Sequence, residues 1–309
     1  MTAIAIPTRD DVERARATIG TRLPRTPMLS SRTIGARLKA ELFQRTGSFK
    51  ARGALNKMSS LSDEEKRRGV IAISAGNHAQ ATAFAAAAEG VDALVVMWQG
   101  ASAQKIAATR GYGAAVDLEA SGPGDAFDRL HHLIEQTGRT LVHPFDDPIV
   151  IAGAGTVGLE IEDDAADADA VVVPVGGGGL VSGIRTALAD RMRVIAVEPE
   201  TSTALHTGLE HREPTPVDPA SIADGLNAPF AGALALEICK DIERVLVTED
   251  EIEHAFRTLY QRAKLAVEPA GAAATAAWLS GRIDAENPVL LVSGGNVAGQ
   301  TAAAILARP

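Results

Sequence analysis

Short apolar runs recur along this chain, each followed by a turn and then by a segment of helix length. Residues 70–73, 93–97, 114–118, 169–175, 194–197, 245–247 and 289–293 are runs of this kind. Strands covered by helices on both faces read as continuous apolar runs, not as alternating ones. Strands that alternate with helices of about ten to fifteen residues pair in parallel, because each helix supplies the crossover. The pattern predicts an α/β chain with two open parallel-sheet domains. Ligands of such sheets lie at the carboxyl ends of strands, where the turns at Ser74, Gly176 and Ser293 fall.

Helix boundaries are marked as well. Thr8 with Asp11, and Thr248 with Glu251, have capping-box spacing, and Gly20, Gly90 and Gly138 are placed as stops. Arg25-Thr26-Pro27-Met28 reads as a turn leading to the turn and cap residues Thr46, Gly47 and Ser48, from which a helix runs to about Ser59. His143-Pro144-Phe145-Asp146-Asp147-Pro148 breaks the alternation and reads as a crossing between lobes. At 309 residues the chain exceeds one simple core, so two lobes are expected.

Composition excludes several classes. The net charge of −9 and the lack of a basic run exclude a nucleic-acid partner. No apolar run approaches the ~18 residues of a membrane span, and the amino terminus lacks the basic and apolar regions of a signal peptide. The single cysteine, Cys239, permits no intrachain disulfide and reads as a core residue, which fits a reducing, cytoplasmic setting. The histidines have no metal-ligand spacing, and no GxSxG elbow is present.

Four stretches carry chemistry. Lys50 opens a helix after the polar turn. A lysine there is either a solvated surface group or an amine desolvated beside Phe49 and held to form a Schiff base with a carbonyl. The second reading is adopted because the other stretches supply what an aldehyde phosphate needs. Gly176, Gly177, Gly178 and Gly179 lie between a strand and a helix. They read as a phosphate cup or as a tight packing turn. Ser74-Ala75-Gly76-Asn77-His78 is a second strand-to-helix turn, an anion cradle suited to a carboxylate or an ordinary cap. Asn77 can donate to a ring oxygen, and His78 reads as a local hydrogen-bonding group, not a base. Ser293 ends the last strand and can meet a heteroaromatic nitrogen or simply close a turn. A dinucleotide site is a rival, with Glu198 at the end of the next strand, but the third glycine of the fingerprint fails at Val181 or Ser182. The literal match at Gly153-Ala154-Gly155-Thr156-Val157-Gly158 lacks an acid at the end of the following strand.

Thr46-Gly47-Ser48-Phe49-Lys50-Ala51-Arg52-Gly53-Ala54, Ser74-Ala75-Gly76-Asn77-His78-Ala79-Gln80, Pro174-Val175-Gly176-Gly177-Gly178-Gly179-Leu180 and Ser293-Gly294-Gly295-Asn296 occur in this order. Together they resemble the motifs of pyridoxal-phosphate enzymes of the tryptophan-synthase-β fold (fold type II). The chain is most similar to the serine/threonine dehydratase and serine racemase branch, over nearly its whole length. The resemblance implies pyridoxal 5'-phosphate as cofactor, Lys50 as Schiff-base lysine and Phe49 against the cofactor ring. It implies Asn77 at the ring hydroxyl, Gly176, Gly177, Gly178 and Gly179 at the phosphate, and Ser293 at the pyridine nitrogen. Ser74, Ala75, Gly76, Asn77 and His78 would hold the substrate carboxylate. Ala223-Asp224-Gly225 and Val267-Glu268-Pro269-Ala270-Gly271 resemble segments that lie near the cofactor. The organisation it implies is a large cofactor-binding domain of residues 1–50 and 143–309 and a small mobile domain of residues 51–142. The implied assembly is a cytoplasmic homodimer whose partner is a small amino acid.

The implied reaction is α,β-elimination of L-threonine or L-serine to a 2-oxo acid and ammonia; serine racemisation and 3-hydroxyaspartate dehydration are the alternatives. Departures from the family pattern narrow it. Arg52 stands two after the lysine, where cysteine and threonine synthases carry an aspartate directly after it, which disfavours β-replacement. Ala75 replaces the racemase acid/base serine and cannot move a proton. Glu198 is present, but Ala204 stands where racemase-like members carry a second metal ligand, so no metal is expected. The family's Gly-Gln-Gly-Thr reads Gly153-Ala154-Gly155-Thr156, and its Met-Pro reads Met97-Trp98. The chain ends at Pro309, from which no carboxyl-terminal regulatory domain, and no feedback control by isoleucine, is expected.

Overall fold

Residues 5–308 are described in the computed structural model, where the apolar runs form strands and the segments between them form helices. Residues 1–4 and Pro309, on which the signal-peptide and carboxyl-terminal expectations bear, lie outside the described residues. The first part holds α1 (Arg9–Ile19), β1 (Met28–Ser31), β2 (Ala36–Ala40), α2 (Lys50–Ser59) and α3 (Asp63–Arg68). β3 (Val70–Ile73), α4 (Asn77–Glu89), β4 (Ala93–Trp98), α5 (Ala103–Gly111), β5 (Ala115–Ala120), α6 (Pro123–Thr137) and β6 (Thr140–Leu141) follow. Then come α7 (Pro148–Asp164), β7 (Ala170–Pro174), α8 (Gly179–Leu188), β8 (Arg193–Pro199), α9 (Ala204–His211) and α10 (Ala233–Ile238). β9 (Glu243–Val247), α11 (Glu249–Thr258), α12 (Pro269–Leu279), β10 (Pro288–Val292) and α13 (Gly299–Leu306) complete the order.

One sheet runs β5-β4-β3-β6 and is parallel throughout. The other runs β1-β2-β10-β7-β8-β9 and is parallel except where β1 pairs with β2. That exception corrects the sequence reading, which took residues 25–28 as a turn and expected parallel strands alone. The two missed strands carry Ser30, Ser31, Arg37 and Lys39, so they show no apolar run. β1 is a partly exposed edge strand, and Lys39 in β2 is buried only because it is paired. The short α3, α9, α10 and β6 escaped too, since two to eight residues show no periodicity. Both predicted capping boxes form, at Thr8–Asp11 and Thr248–Glu251.

Helices cover both faces of the six-stranded sheet, as continuous apolar strands require. Leu290, Val172, Ile195 and Phe256 pack in a cluster on one face. Val171, Val173, Val181 and Ile184 pack on the other. The literal GxGxxG stretch lies in the middle of α7, so it is a packing motif and not a nucleotide turn. A Cβ on Gly153 would stand 2.7 Å from the Arg52 carbonyl oxygen and 2.8 Å from the Gly53 Cα, and one on Gly155 would stand 2.6 Å from the Gly183 carbonyl oxygen. These glycines let α7 cross α2 and α8 at backbone contact. Gly153→Val is expected to cost about 1–3 kcal/mol through overpacking, read as a lower urea midpoint; an unchanged midpoint would refute the close crossing.

Candidate active site

Three turns at strand carboxyl ends meet the segment that delivers Lys50. The Phe49 N–H donates to the Ser293 carbonyl at 3.1 Å, the Gly295 N–H donates to the Gly47 carbonyl at 2.9 Å, and Ser48 bridges Gly294. This lacing replaces the expected cap. The helix begins at Lys50 with Phe49 as its N-cap and no capping side chain. Thr46 holds a φ of 62°, in the left-handed region. The hydroxyls of Thr46 and Ser48 are buried and have no partner among the described residues. An unmet buried hydroxyl costs about 1–3 kcal/mol, so both are groups a ligand can satisfy.

The Lys50 amine points inward and donates to the Pro144 carbonyl at 2.7 Å. Its Nζ stands 5.1 Å from the Phe49 ring centroid. No carboxylate lies within ion-pair distance of it among the described residues. Burial without an anionic partner pushes its pKa down to about 8. A narrow cavity lined by Phe49, Lys50, Pro144, Gly179 and Leu180 joins this amine to the start of α8.

The tetraglycine loop is a tightly packed turn that also leaves backbone amides free. A Cβ on Gly177 would stand 2.4 Å from the Phe145 ring, and one on Gly178, where φ is 90°, would stand 2.4 Å from the Ala235 Cβ. A Cβ on Gly179 would stand 2.9 Å from the Phe145 backbone. The loop is therefore packed tightly from behind by the crossing segment. The amides of Gly176, Gly177 and Gly178 donate no hydrogen bond within the chain among the described residues. Free amides at a helix start make an anion site.

The turn after β3 offers a second one. Gly76 is the N-cap of α4 and supplies no side chain, while Ser74 Oγ accepts from the Gly76 N–H at 3.1 Å. Ala75 is half-buried and carries no group able to transfer a proton. Asn77 Nδ2 donates to Glu268 Oε1 at 2.7 Å, and Asn77 Oδ1 accepts from Asn296 Nδ2 at 2.8 Å. One amide hydrogen of Asn77 remains for a ligand. The sequence reading placed Glu268 only within a run near the site. Its side chain is buried, and burial followed by the nearby Asp224 pushes its pKa up to about 7.

His78 does not serve as a base. Its Nε2 lies 2.8 Å from the Val142 carbonyl, and burial, with help from the Lys50 charge, pushes its pKa down to about 3. The ring is neutral at ordinary pH and ties α4 to the end of the smaller sheet. Glu198 caps α9, accepting from the Leu205 N–H at 2.7 Å and the His206 N–H at 2.9 Å. Cys239 is buried in the core, and burial pushes its thiol up to about 11.

A sequence model of the family described as pyridoxal-phosphate dependent enzyme matches residues 19–295. The chain is 44% identical over 306 residues to the L-threonine dehydratase catabolic TdcB of Staphylococcus aureus (strain USA300), covering 93% of this chain and 88% of that protein. It superposes on the processed form of threonine deaminase isoform 2 from Solanum lycopersicum with a TM-score of 0.89 at 32% identity, covering 99% of this chain and 97% of that one. The serine racemase of Dictyostelium discoideum superposes with a TM-score of 0.89 at 36% identity, covering 95% and 100%. The residues fit an aldehyde phosphate: a half-buried amine without a counter-ion, a packed glycine loop with free amides, and unmet buried hydroxyls. In the cofactor-free protein, acylation of Lys50 is expected to rise with pH around a midpoint near 8. Exposed lysines titrate near ~10.4. Peptide mass mapping across pH measures both, and a Lys50 midpoint at the ordinary value would refute the desolvated amine.

Proposed function

The chain belongs to the pyridoxal-phosphate-dependent enzyme family, and from that premise we propose that it is a threonine/serine ammonia-lyase. It converts L-threonine or L-serine to a 2-oxo acid and ammonia. The observation that carries this reading is the half-buried Lys50 amine, with no carboxylate in ion-pair range among the described residues and a narrow cavity joining it to Gly179.

When bound, pyridoxal phosphate supplies the electron sink for the pair left at Cα. Lys50 would hold it covalently, Phe49 would pack on its ring, and Asn77 would donate its remaining N–H to the ring hydroxyl. Gly176, Gly177, Gly178 and Gly179 would hold the phosphate, and Ser293, almost fully buried at the end of β10, would meet the pyridine nitrogen. A neutral serine does not keep that nitrogen protonated, which favours β-elimination over transamination. The amides of Ala75, Asn77 and His78 would orient the substrate carboxylate, since the Ser74 N–H is given to the Val96 carbonyl and the Gly76 N–H to Ser74 Oγ.

Lys50, displaced by the substrate amine, takes the Cα proton. Only the neutral amine can take a proton, and burial, which pulls its pKa down to about 8, favours that form. The same proton can then go to the departing β-hydroxyl. The enamine product hydrolyses to the 2-oxo acid and ammonia. Ala75 leaves no acid for the opposite face of Cα, which favours elimination over racemisation. The likeness to a serine racemase keeps racemisation as the second reading; chiral analysis of serine after incubation separates the two. A screen of hydroxy-amino acids for 2-oxo acid release places 3-hydroxyaspartate.

Residues 51–142 carry the smaller sheet and act as the mobile lobe over residues 1–50 and 143–309. The Asn77–Glu268 hydrogen bond and the Lys105–Asp224 ion pair both cross between them. A cytoplasmic homodimer completes the proposal. It is supported by the resemblance, with no helix among the described residues long and apolar enough to cross a membrane; light scattering tests the dimer. Lys50→Ala is expected to lower turnover of threonine by at least about a thousandfold and to abolish the visible absorbance of bound cofactor. Wild-type turnover by that variant would overturn the proposal.

A further inference from the structure

A buried polar cluster lies behind the site, on the far side of α2 from the amine. Arg52 is 1% exposed, and all five of its N–H donors are engaged. Nε and Nη2 donate to the two oxygens of Glu41 at 2.8 Å each. Nη1 and Nη2 donate to the two oxygens of Glu160 at 2.7 and 2.9 Å, and Nη1 also reaches Thr156 Oγ1 at 3.2 Å. Lys39, fully buried, donates to Glu160 Oε2 at 2.6 Å and to the Thr26 carbonyl at 2.8 Å. Two cations thus face two carboxylates in the interior, each paired and hydrogen-bonded.

The geometry points to Arg52 as the positioning residue for Lys50: its doubly bidentate guanidinium clamps the first turn of α2 onto α7 and the segment after β2, and so fixes the direction in which the Lys50 side chain leaves the helix. Positions i and i+2 of a helix point to nearly opposite sides, so a clamp on Arg52 sets the rotation of the turn while leaving the Lys50 face clear. Two further contacts extend the clamp along the helix. Asn56 Nδ2 donates to the Ile149 carbonyl at 2.8 Å, and Lys57 pairs with Asp147 at 2.7 Å. These contacts tie α2 to α7 over the span from Arg52 to Lys57, and so hold the Lys50 end of the helix against the larger lobe. Lysine cannot replace Arg52, since three donors on one nitrogen cannot serve two carboxylates in parallel forks.

This inference rests on Lys50 being the amine that holds the cofactor. Its test pairs Lys50→Ala with Arg52→Lys and the milder Glu41→Gln, each checked for folding by circular dichroism. In the cofactor-free Arg52→Lys protein, amides 53–56 are expected to exchange hydrogen about tenfold faster, with sheet amides unchanged. The loaded variant is expected to lose about 10- to 100-fold in kcat, with KM within about threefold, because the reacting group is misplaced while substrate binding is kept. Glu41→Gln is expected to shift both readouts the same way by a smaller factor, and it decides the matter if Arg52→Lys does not fold. Folded variants with wild-type exchange and kcat, beside an inactive Lys50→Ala, would overturn the positioning role alone. An active Lys50→Ala would overturn the reading beneath it.

Discussion

Two backbone hydrogen bonds and one β-bridge hold the site together. They join residues 47–49 to residues 293–295, nearly 250 positions apart in the chain. Closing so long a loop costs conformational entropy that grows only slowly with its length, and the parallel pairing of β2 with β10 already holds the two segments side by side. Once the strands are in register, the turns beyond them extend the pairing, and Lys50 arrives beside Ser293. The turn after β3 is added by side chains: Asn296 donates to both the Thr46 carbonyl and Asn77, and Asn77 donates to Glu268.

Burial then sets the charges of the groups so gathered. A dry environment lowers the pKa of a base and raises that of an acid. Lys50 is brought down to about 8, His78 to about 3, and Glu268 up to about 7. Burial therefore disfavours the charged form of each of these groups in the site. The site's attraction for anions comes from backbone amides at the starts of α4 and α8, which need no protonation and do not titrate. The strongly charged pairs, Arg52 with Glu41 and Glu160, are confined behind the helix, away from the Lys50 amine.

The glycines of the chain follow two rules that a linear reading merges. Gly177, Gly178 and Gly179 are required from behind, by Phe145 and Ala235, and free their amides on the other side. Gly153, Gly155 and Gly158 match a nucleotide fingerprint letter for letter, yet they sit inside α7 and serve only close contact with α2 and α8. Strand context separates the two cases, as β7 runs directly into the first group while no strand precedes the second.

The sequence by itself determined the α/β class, the strands of both parallel sheets other than β1, β2 and β6, and the turns at the strand carboxyl ends. These are local properties: apolar runs, glycine placement and capping spacing. It also marked Lys50, through the turn before it and the motifs that accompany it. Only the tertiary structure decided what depends on partners distant in the chain. The β1–β2 hairpin was hidden because its polar residues are tolerated by pairing, Lys39 with Glu160 above all. Arg52 read as a family marker and proved to be a buried clamp. Thr46 and Ser48 read as caps and proved to be laced to the last strand's turn. Glu198 became a helix cap. In each case the residue type was legible, but its role was set by which group from another part of the chain came within hydrogen-bond reach, and a single sequence does not encode that distance locally.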